Sequence, residues 1–146
     1  PGLIEGAHEG LGLGDRFLGH IERCATILHV IDGTGEDVVD AYKTIRHELK
    51  EYGEGLSDKQ EIIALNKVDA LDDELIKMLS EELEKVTTSP IMPISGVTGS
   101  GVKEMLRALL ENVDKVRINE KTTKEKVVIE LEEENSDAPA QTWSPL

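Results

Sequence analysis

Three aliphatic runs, each followed by a helical pattern, constrain what this chain can fold into more than any other feature. They read TILHVID (residues 26–32), EIIALNKVD (61–69) and SPIMPIS (89–95). Each run is continuous rather than alternating, as expected of a strand covered on both faces in a parallel sheet. After the first, Val38, Ala41, Tyr42, Ile45, Leu49 and Tyr52 fall on one helical face. After the second, Leu75, Ile76, Leu79, Leu83 and Val86 do the same, with Asp72 placed to cap and Asp73 and Glu74 suiting the positive end of the helix dipole. The third pattern runs through Val102, Met105, Leu106, Leu109, Leu110 and Val113. Strand and helix alternating three times predict right-handed βαβ units, and hence a doubly wound, mainly parallel α/β sheet. Pro90 and Pro93 interrupt the third strand and place it at the sheet edge. With 38% hydrophobic but only 3% aromatic residues, the core has to be aliphatic.

Charge and cysteine content exclude several classes. A formal net charge of −14 without clustered Lys or Arg argues against sequence-independent binding to a nucleic-acid backbone. The single cysteine, Cys24, can form neither an intramolecular disulfide nor a zinc framework, which fits a reducing, cytoplasmic setting. Cys24 is expected to be a small buried hydrophobe. The apolar run ATILHVI is too short to span a bilayer, and no basic, then apolar leader pattern suggests export. Beyond about Arg117 the helical pattern dissolves into a charged segment containing Glu132, Glu133 and Glu134. That composition reads as a disordered acidic tail, residues 118–146, in which VVIEL could add a strand elsewhere and Trp143 has no assigned role.

The opening, PGLIEGAHEGLGLGDRF, is rich in glycine but is not a phosphate cradle. A P-loop needs two glycines five apart followed by Lys and Ser or Thr, and no Lys precedes Lys43. A dinucleotide fingerprint needs G-x-G-x-x-G directly after a strand, whereas Gly10, Gly12 and Gly14 follow a polar stretch at a spacing of two. By pattern alone the segment is a flexible loop.

Chemistry enters at the end of the second run, where Asn66-Lys67-Val68-Asp69 matches N-K-x-D. In open α/β sheets ligands sit beyond the carboxyl ends of the strands, where this tetrapeptide falls. A carboxylate offers two acceptor oxygens, and guanine presents the adjacent N1–H and N2 donors that match them. Adenine has an acceptor at N1 and no amino group at C2, so it would leave Asp69 unpaired at a cost of about 1–3 kcal/mol. Asn66 can reach another edge of the base, and the methylene stem of Lys67 can lie along its face. One βαβ unit later, Ser95-Gly96-Val97 places a hydroxyl to orient Asp69 and a backbone N–H to donate to guanine O6. The plainer alternative, that Asn66, Asp69 and Ser95 only form turns, does not account for their order and placement.

These are the base-recognition motifs of TRAFAC-type GTPases, and the segment Pro1 to Cys24 closely resembles the switch II region of the Obg family, whose motif reads D-x-P-G-L-I-E-G-A. The resemblance extends from Pro1 to about Arg117. It implies that residues 1–117 are the carboxyl-terminal part of a G domain, with GTP or GDP as ligand and the large ribosomal subunit as partner. Gly2 would then donate its amide to the γ-phosphate, the glycines serving a segment that changes backbone state. Leu3 would occupy the position where many GTPases keep a water-orienting Gln, so slow intrinsic hydrolysis is expected. The P-loop, the switch I threonine and the aspartate that supply the phosphate cradle and the Mg2+ ligands would lie upstream of Pro1. No catalytic residue and no metal ligand is therefore assigned within the chain, and the first strand is expected to present an exposed aliphatic edge prone to aggregation.

The remaining polar residues carry plainer expectations. His8 and His20 read as solvated loop residues, His29 as a satisfied core histidine, Asp32 as a turn cap, and Glu81, Glu82 and Glu84 as a solvated helix face. The competing functional reading is a non-catalytic interaction module, because a G domain without its cradle would have no catalytic site.

Overall fold

The structure, a computed structural model, describes residues 14–53 and 55–136, with side chains described for 18–53, 55–119 and 121–123. The elements run α1 (Gly14–Glu22), β1 (Thr26–Asp32), α2 (Val38–Tyr52), β2 (Gln60–Asn66), α3 (Asp73–Glu84), β3 (Ile91–Pro93) and α4 (Val102–Ser136). Short 3-10 turns at Leu56–Asp58 and Val68–Ala70 precede and follow β2. The three strands form one sheet in the order β1-β2-β3, and both pairings are parallel. This is the α/β architecture that the alternation predicts, with the proline-bearing β3 at an edge.

Alternation along β2 directs its side chains to two layers. Ile63 and Leu65 join Ile31 of β1, Val38 and Tyr42 of α2, and Leu83 of α3 on one face. Ala64 turns to the other, where Ile94 and Met105 of α4 are buried with it. All three β2 residues have no exposed surface. A fully buried Leu or Ile contributes about 1.5–3 kcal/mol through area removed from water, so β2 is the strand on which the unit most depends. A third cluster ties α1 to the sheet end, with Leu18, Leu49 and Leu56 in contact.

Helix starts follow local chemistry. Asp37 Oδ1 accepts the Asp40 N–H at 2.8 Å to cap α2, and Asp72 Oδ1 accepts the Leu75 N–H at 2.8 Å to cap α3, as expected. Gly53, at φ 80°, closes α2 by donating its N–H to the Lys50 carbonyl.

Several expectations change. The glycine-rich opening becomes helical from Gly14, because the spacing of Leu18 and Ile21 gives α1 an apolar side to bury against α2. Cys24 is exposed rather than buried: it lies in the link between α1 and β1, its amide bonded to the Ile21 carbonyl, away from either sheet face. Ala41 on α2 and Leu106 and Leu110 on α4 are exposed although their spacing put them on apolar faces.

The helix α4 continues past Arg117 to Ser136, so residues 118–136 are helical and VVIEL lies within helix, not strand. Glu and Lys are frequent in that segment, and both are good helix formers. By its internal packing the chain divides into units Pro1–Val113 and Asp114–Leu146. In the second, the Thr122 and Thr123 hydroxyls donate back to the Ile118 and Asn119 carbonyls.

Along its outer side β1 pairs with no other strand among the described residues, and Val30, level with Ala64 in the ladder, is 52% exposed on its sheet face. No helix among them is long and apolar enough to cross a membrane.

Candidate functional site

At the carboxyl ends of β1, β2 and β3 the chain gathers Asp32, Asn66, Lys67, Asp69, Ser95 and Gly96. Register does much of this: Asp32 pairs with Asn66 in the ladder, and the Gly33 N–H extends the pairing by donating to the Asn66 carbonyl at 2.8 Å. On the other side the Ile94 N–H donates to the Leu65 carbonyl at 2.8 Å, and the Val68 N–H returns to the Ile94 carbonyl at 3.2 Å. The loops after β2 and β3 are thereby fixed to one another by backbone before any side chain acts.

Ser95 has no exposed surface, and its hydroxyl donates to Asp69 Oδ1 at 2.5 Å while accepting the Thr98 N–H at 3.0 Å. Asp69 itself is exposed, and its second oxygen has no partner among the described residues. One carboxylate oxygen is held and the other is open. Asn66 Oδ1 accepts the Gly96 N–H at 3.0 Å, which leaves the Asn66 NH2 group to donate elsewhere. Because Gly96 spends its amide on Asn66, the free backbone donor in this loop is Val97, whose N–H has no acceptor among the described residues and whose side chain is 87% exposed. The three-residue stretch 95–97 thus divides its work among a buried hydroxyl, a bridging amide and an open amide.

Lys67 has φ 68°, in the left-handed region, the one non-glycine residue there among those described. That backbone state costs an L-residue about 1–2 kcal/mol. It turns the chain from the end of β2 into the 3-10 turn carrying Asp69, and Lys67 Nζ meets Asp32 Oδ2 at 2.6 Å. Asp32 Oδ1 in turn accepts the Thr34 N–H at 2.9 Å and the Thr34 hydroxyl at 2.7 Å. The Lys67 ammonium foremost, and then the Thr34 donors, hold the Asp32 carboxyl down at about 2. Asp32 is the turn cap expected of it, and also an ion-pair partner that the sequence reading did not supply. Gly2, Leu3 and His8 lie outside the described residues.

A second polar cluster lies at the opposite ends of the strands. Glu61, 6% exposed at the start of β2, has His29 Nδ1 3.2 Å from its Oε1 and receives the Tyr42 and Ser89 hydroxyls on Oε2 at 3.2 and 3.3 Å. Arg46 Nη1 is 3.8 Å from Oε1, and Arg46 Nη2 donates to the Ser57 carbonyl at 2.7 Å. Burial alone would raise the Glu61 pKa, but the His29 contact, the Arg46 charge and the Tyr42 hydroxyl together hold it below its ordinary value. The His29 ring stacks on Tyr42 at 5.3 Å, which makes it the satisfied core histidine expected. Tyr42, Arg46, Glu61 and Ser89 also line an open cavity of about 800 Å3. The carboxylate in it is already surrounded by donors, so the cluster reads as buried structural polarity.

No group of three or more His, Cys, Asp or Glu side chains among the described residues could hold a metal ion.

Comparison with known proteins agrees with the geometry at a coarse level. Residues 1–67 match the family model described as 50S ribosome-binding GTPase. The crystal structure of nucleolar GTP-binding protein 1 from Plasmodium falciparum superposes with a TM-score of 0.51 at 17% sequence identity, over 82% of this chain. The chain spans 63% of that protein's chain, and the likeness establishes the fold: a partial P-loop GTPase-type α/β sheet. The family match covers less than half of this chain, and what the two findings share is the GTPase-type α/β fold.

Proposed function

We propose that this chain is the guanine-reading part of an Obg-type GTP-binding switch, acting with the large ribosomal subunit. One observation carries the reading: Asp69 stands at the carboxyl ends of parallel strands with one oxygen held by Ser95 and the other open. A carboxylate so fixed matches the paired N1–H and N2–H donors of guanine without having to reorganise. In this reading Asp69 accepts from the Watson–Crick edge and the Asn66 amide group donates to another edge of the base. The open Val97 N–H donates to O6, with Ser95 and Gly96 as supports, while the Lys67 stem covers the ring face.

The Obg assignment rests on the resemblance of Pro1 to Cys24. In that assignment Gly2 contacts the γ-phosphate, and Leu3, unable to orient water by hydrogen bonding, leaves intrinsic hydrolysis slow. The ribosomal partner is supported by the description of the family matched over residues 1–67. By the same resemblance a Mg2+ ion would accompany the bound nucleotide.

A calorimetric titration of GDP into the chain, with ADP as control, tests the reading. Selective GDP binding supports it. Equal binding of both nucleotides overturns guanine reading by these residues and favours the non-catalytic interaction module, whereas no binding by a chain with a folded circular dichroism spectrum assigns the affinity to a phosphate loop and leaves this chain inactive alone.

A further inference from the structure

The base-reading loop is tethered to a strand that carries none of its motif. Asp32 ends β1 and Lys67 follows β2, yet Lys67 Nζ and Asp32 Oδ2 are 2.6 Å apart across 35 residues of sequence. Both side chains are about half exposed, so water competes for each and a contact without a purpose would contribute little. The geometry around the pair is nonetheless closely specified. Asp32 is oriented by two donors from Thr34, and its strand is locked to β2 at that point by the Gly33 N–H on the Asn66 carbonyl. Lys67 leaves β2 in the left-handed backbone region, and its far end lies on Asp32 at the end of the neighbouring strand. A lysine there has four rotatable side-chain bonds, and fastening its far end draws the methylenes across the strand ends beside Asp69.

We propose that Asp32 is a positioning residue for guanine recognition, holding the Lys67 stem as a preformed platform for the face of a base whose edge meets Asp69. The inference rests on the guanine reading above and adds a residue from outside N-K-x-D to it. A flexible lysine would have to be ordered on binding, and the tether removes that cost beforehand. Thr34 acts one step further out, orienting the carboxylate that orients the lysine.

Asp32→Asn isolates the role, because an asparagine oxygen can still accept from Thr34 and keep the turn while losing the charge that holds the ammonium. Two measurements on the full chain are needed. In the ligand-free protein, the side-chain ammonium resonance of Lys67 is expected to be protected from exchange and to lose that protection in Asp32→Asn, with Thr34→Val causing a smaller change. In GDP titrations, Asp32→Asn is expected to weaken binding about two- to fivefold, the range of an exposed ion pair. It should weaken IDP by the same factor, since the edge donors are read by Asp69. In a Lys67→Met background, which keeps a stem without the charge, Asp32→Asn is expected to cause no further loss.

Selective GDP binding that Asp32→Asn leaves unchanged, or a loss that persists in Lys67→Met, overturns the positioning role alone. Absence of guanine preference in the unaltered chain overturns the guanine reading and the proposed role with it, and the ammonium resonance then reports only whether the tether exists. An unprotected ammonium in the unaltered chain overturns the tether itself.

Discussion

The Ser95 hydroxyl donates to Asp69 Oδ1 at 2.5 Å across 26 residues of sequence, joining the loop after β3 to the loop after β2. Ser95 is fully buried and Asp69 is exposed, so the bond fixes a surface carboxylate from beneath. Ser95→Ala removes the donor and leaves the Thr98 N–H without its acceptor. The loss is expected to cost about 0.5–1.5 kcal/mol, or roughly two- to twelvefold in GDP affinity, read by calorimetry. A change confined to melting temperature would assign the bond to folding only.

Asp69→Asn tests edge recognition directly. An amide can donate where xanthine accepts at C2, so the variant is expected to weaken GDP by about 1–3 kcal/mol and to favour XDP. Competition binding with the two nucleotides checks it, and an unchanged base preference would remove Asp69 from the assignment.

Gly33 is required by close approach. A Cβ built at this position would stand 2.8 Å from the Asn66 carbonyl oxygen and 3.0 Å from Leu71 Cδ1. The first neighbour is backbone and cannot yield without parting the ends of β1 and β2. Gly33→Ala is therefore expected to destabilise the chain by about 1–3 kcal/mol and to weaken GDP as well, since Asn66 moves with its carbonyl. Urea denaturation and titration together read both effects.

Glu61 predicts an acid-sensitive fold. Its folded pKa is held below the ordinary value of 4.5 despite burial, because His29, Arg46 and Tyr42 favour the carboxylate. A depressed pKa adds stability that is fully present above the unfolded value and is lost as pH falls through the folded one. Denaturation midpoints are expected to drop as the solution is taken below about pH 4.5, and Glu61→Gln should flatten that slope. The variant should also lose about 1–3 kcal/mol near neutrality, since Arg46 and its neighbours are left around an uncharged group. A wild-type slope retained in Glu61→Gln would place the acid sensitivity elsewhere.

What the sequence made legible followed from periodicity and from residues whose partners lie close by. The three strands, the Asp72 cap and the edge position of β3 are of this kind. The pairing of Ser95 with Asp69 was legible because each stands at the end of its own strand and neighbouring parallel strands bring those ends together. The cluster around Glu61 was not, since His29, Tyr42, Arg46 and Ser89 come from separate elements and a glutamate opening a strand looks like any solvated end. The Asp32 tether was hidden for a different reason: it depends on the left-handed turn at Lys67, which no propensity for lysine would suggest. The exposure of Cys24 was hidden because position in the link between α1 and β1, rather than residue type, decides its burial, and the helix over 118–136 follows from helix propensity rather than from an apolar pattern.

The shortness of β3 has a consequence for how the site would fail. Only Ile91–Pro93 pair with β2, on one side, whereas β2 is paired along all seven of its residues with β1. Opening free energies in a protein are uneven, and a three-residue edge strand belongs to the lower end of that range. The Ile94 amide, bonded to the Leu65 carbonyl, and the Ile63 amide, bonded to the Pro90 carbonyl, are therefore expected to exchange with deuterium ahead of the Gly33 amide, which joins the end of β1 to β2. In any excursion that frees β3, Ser95 leaves Asp69 while the β1–β2 pair persists, so the preference for one base over another would fade in a chain that still scores as folded.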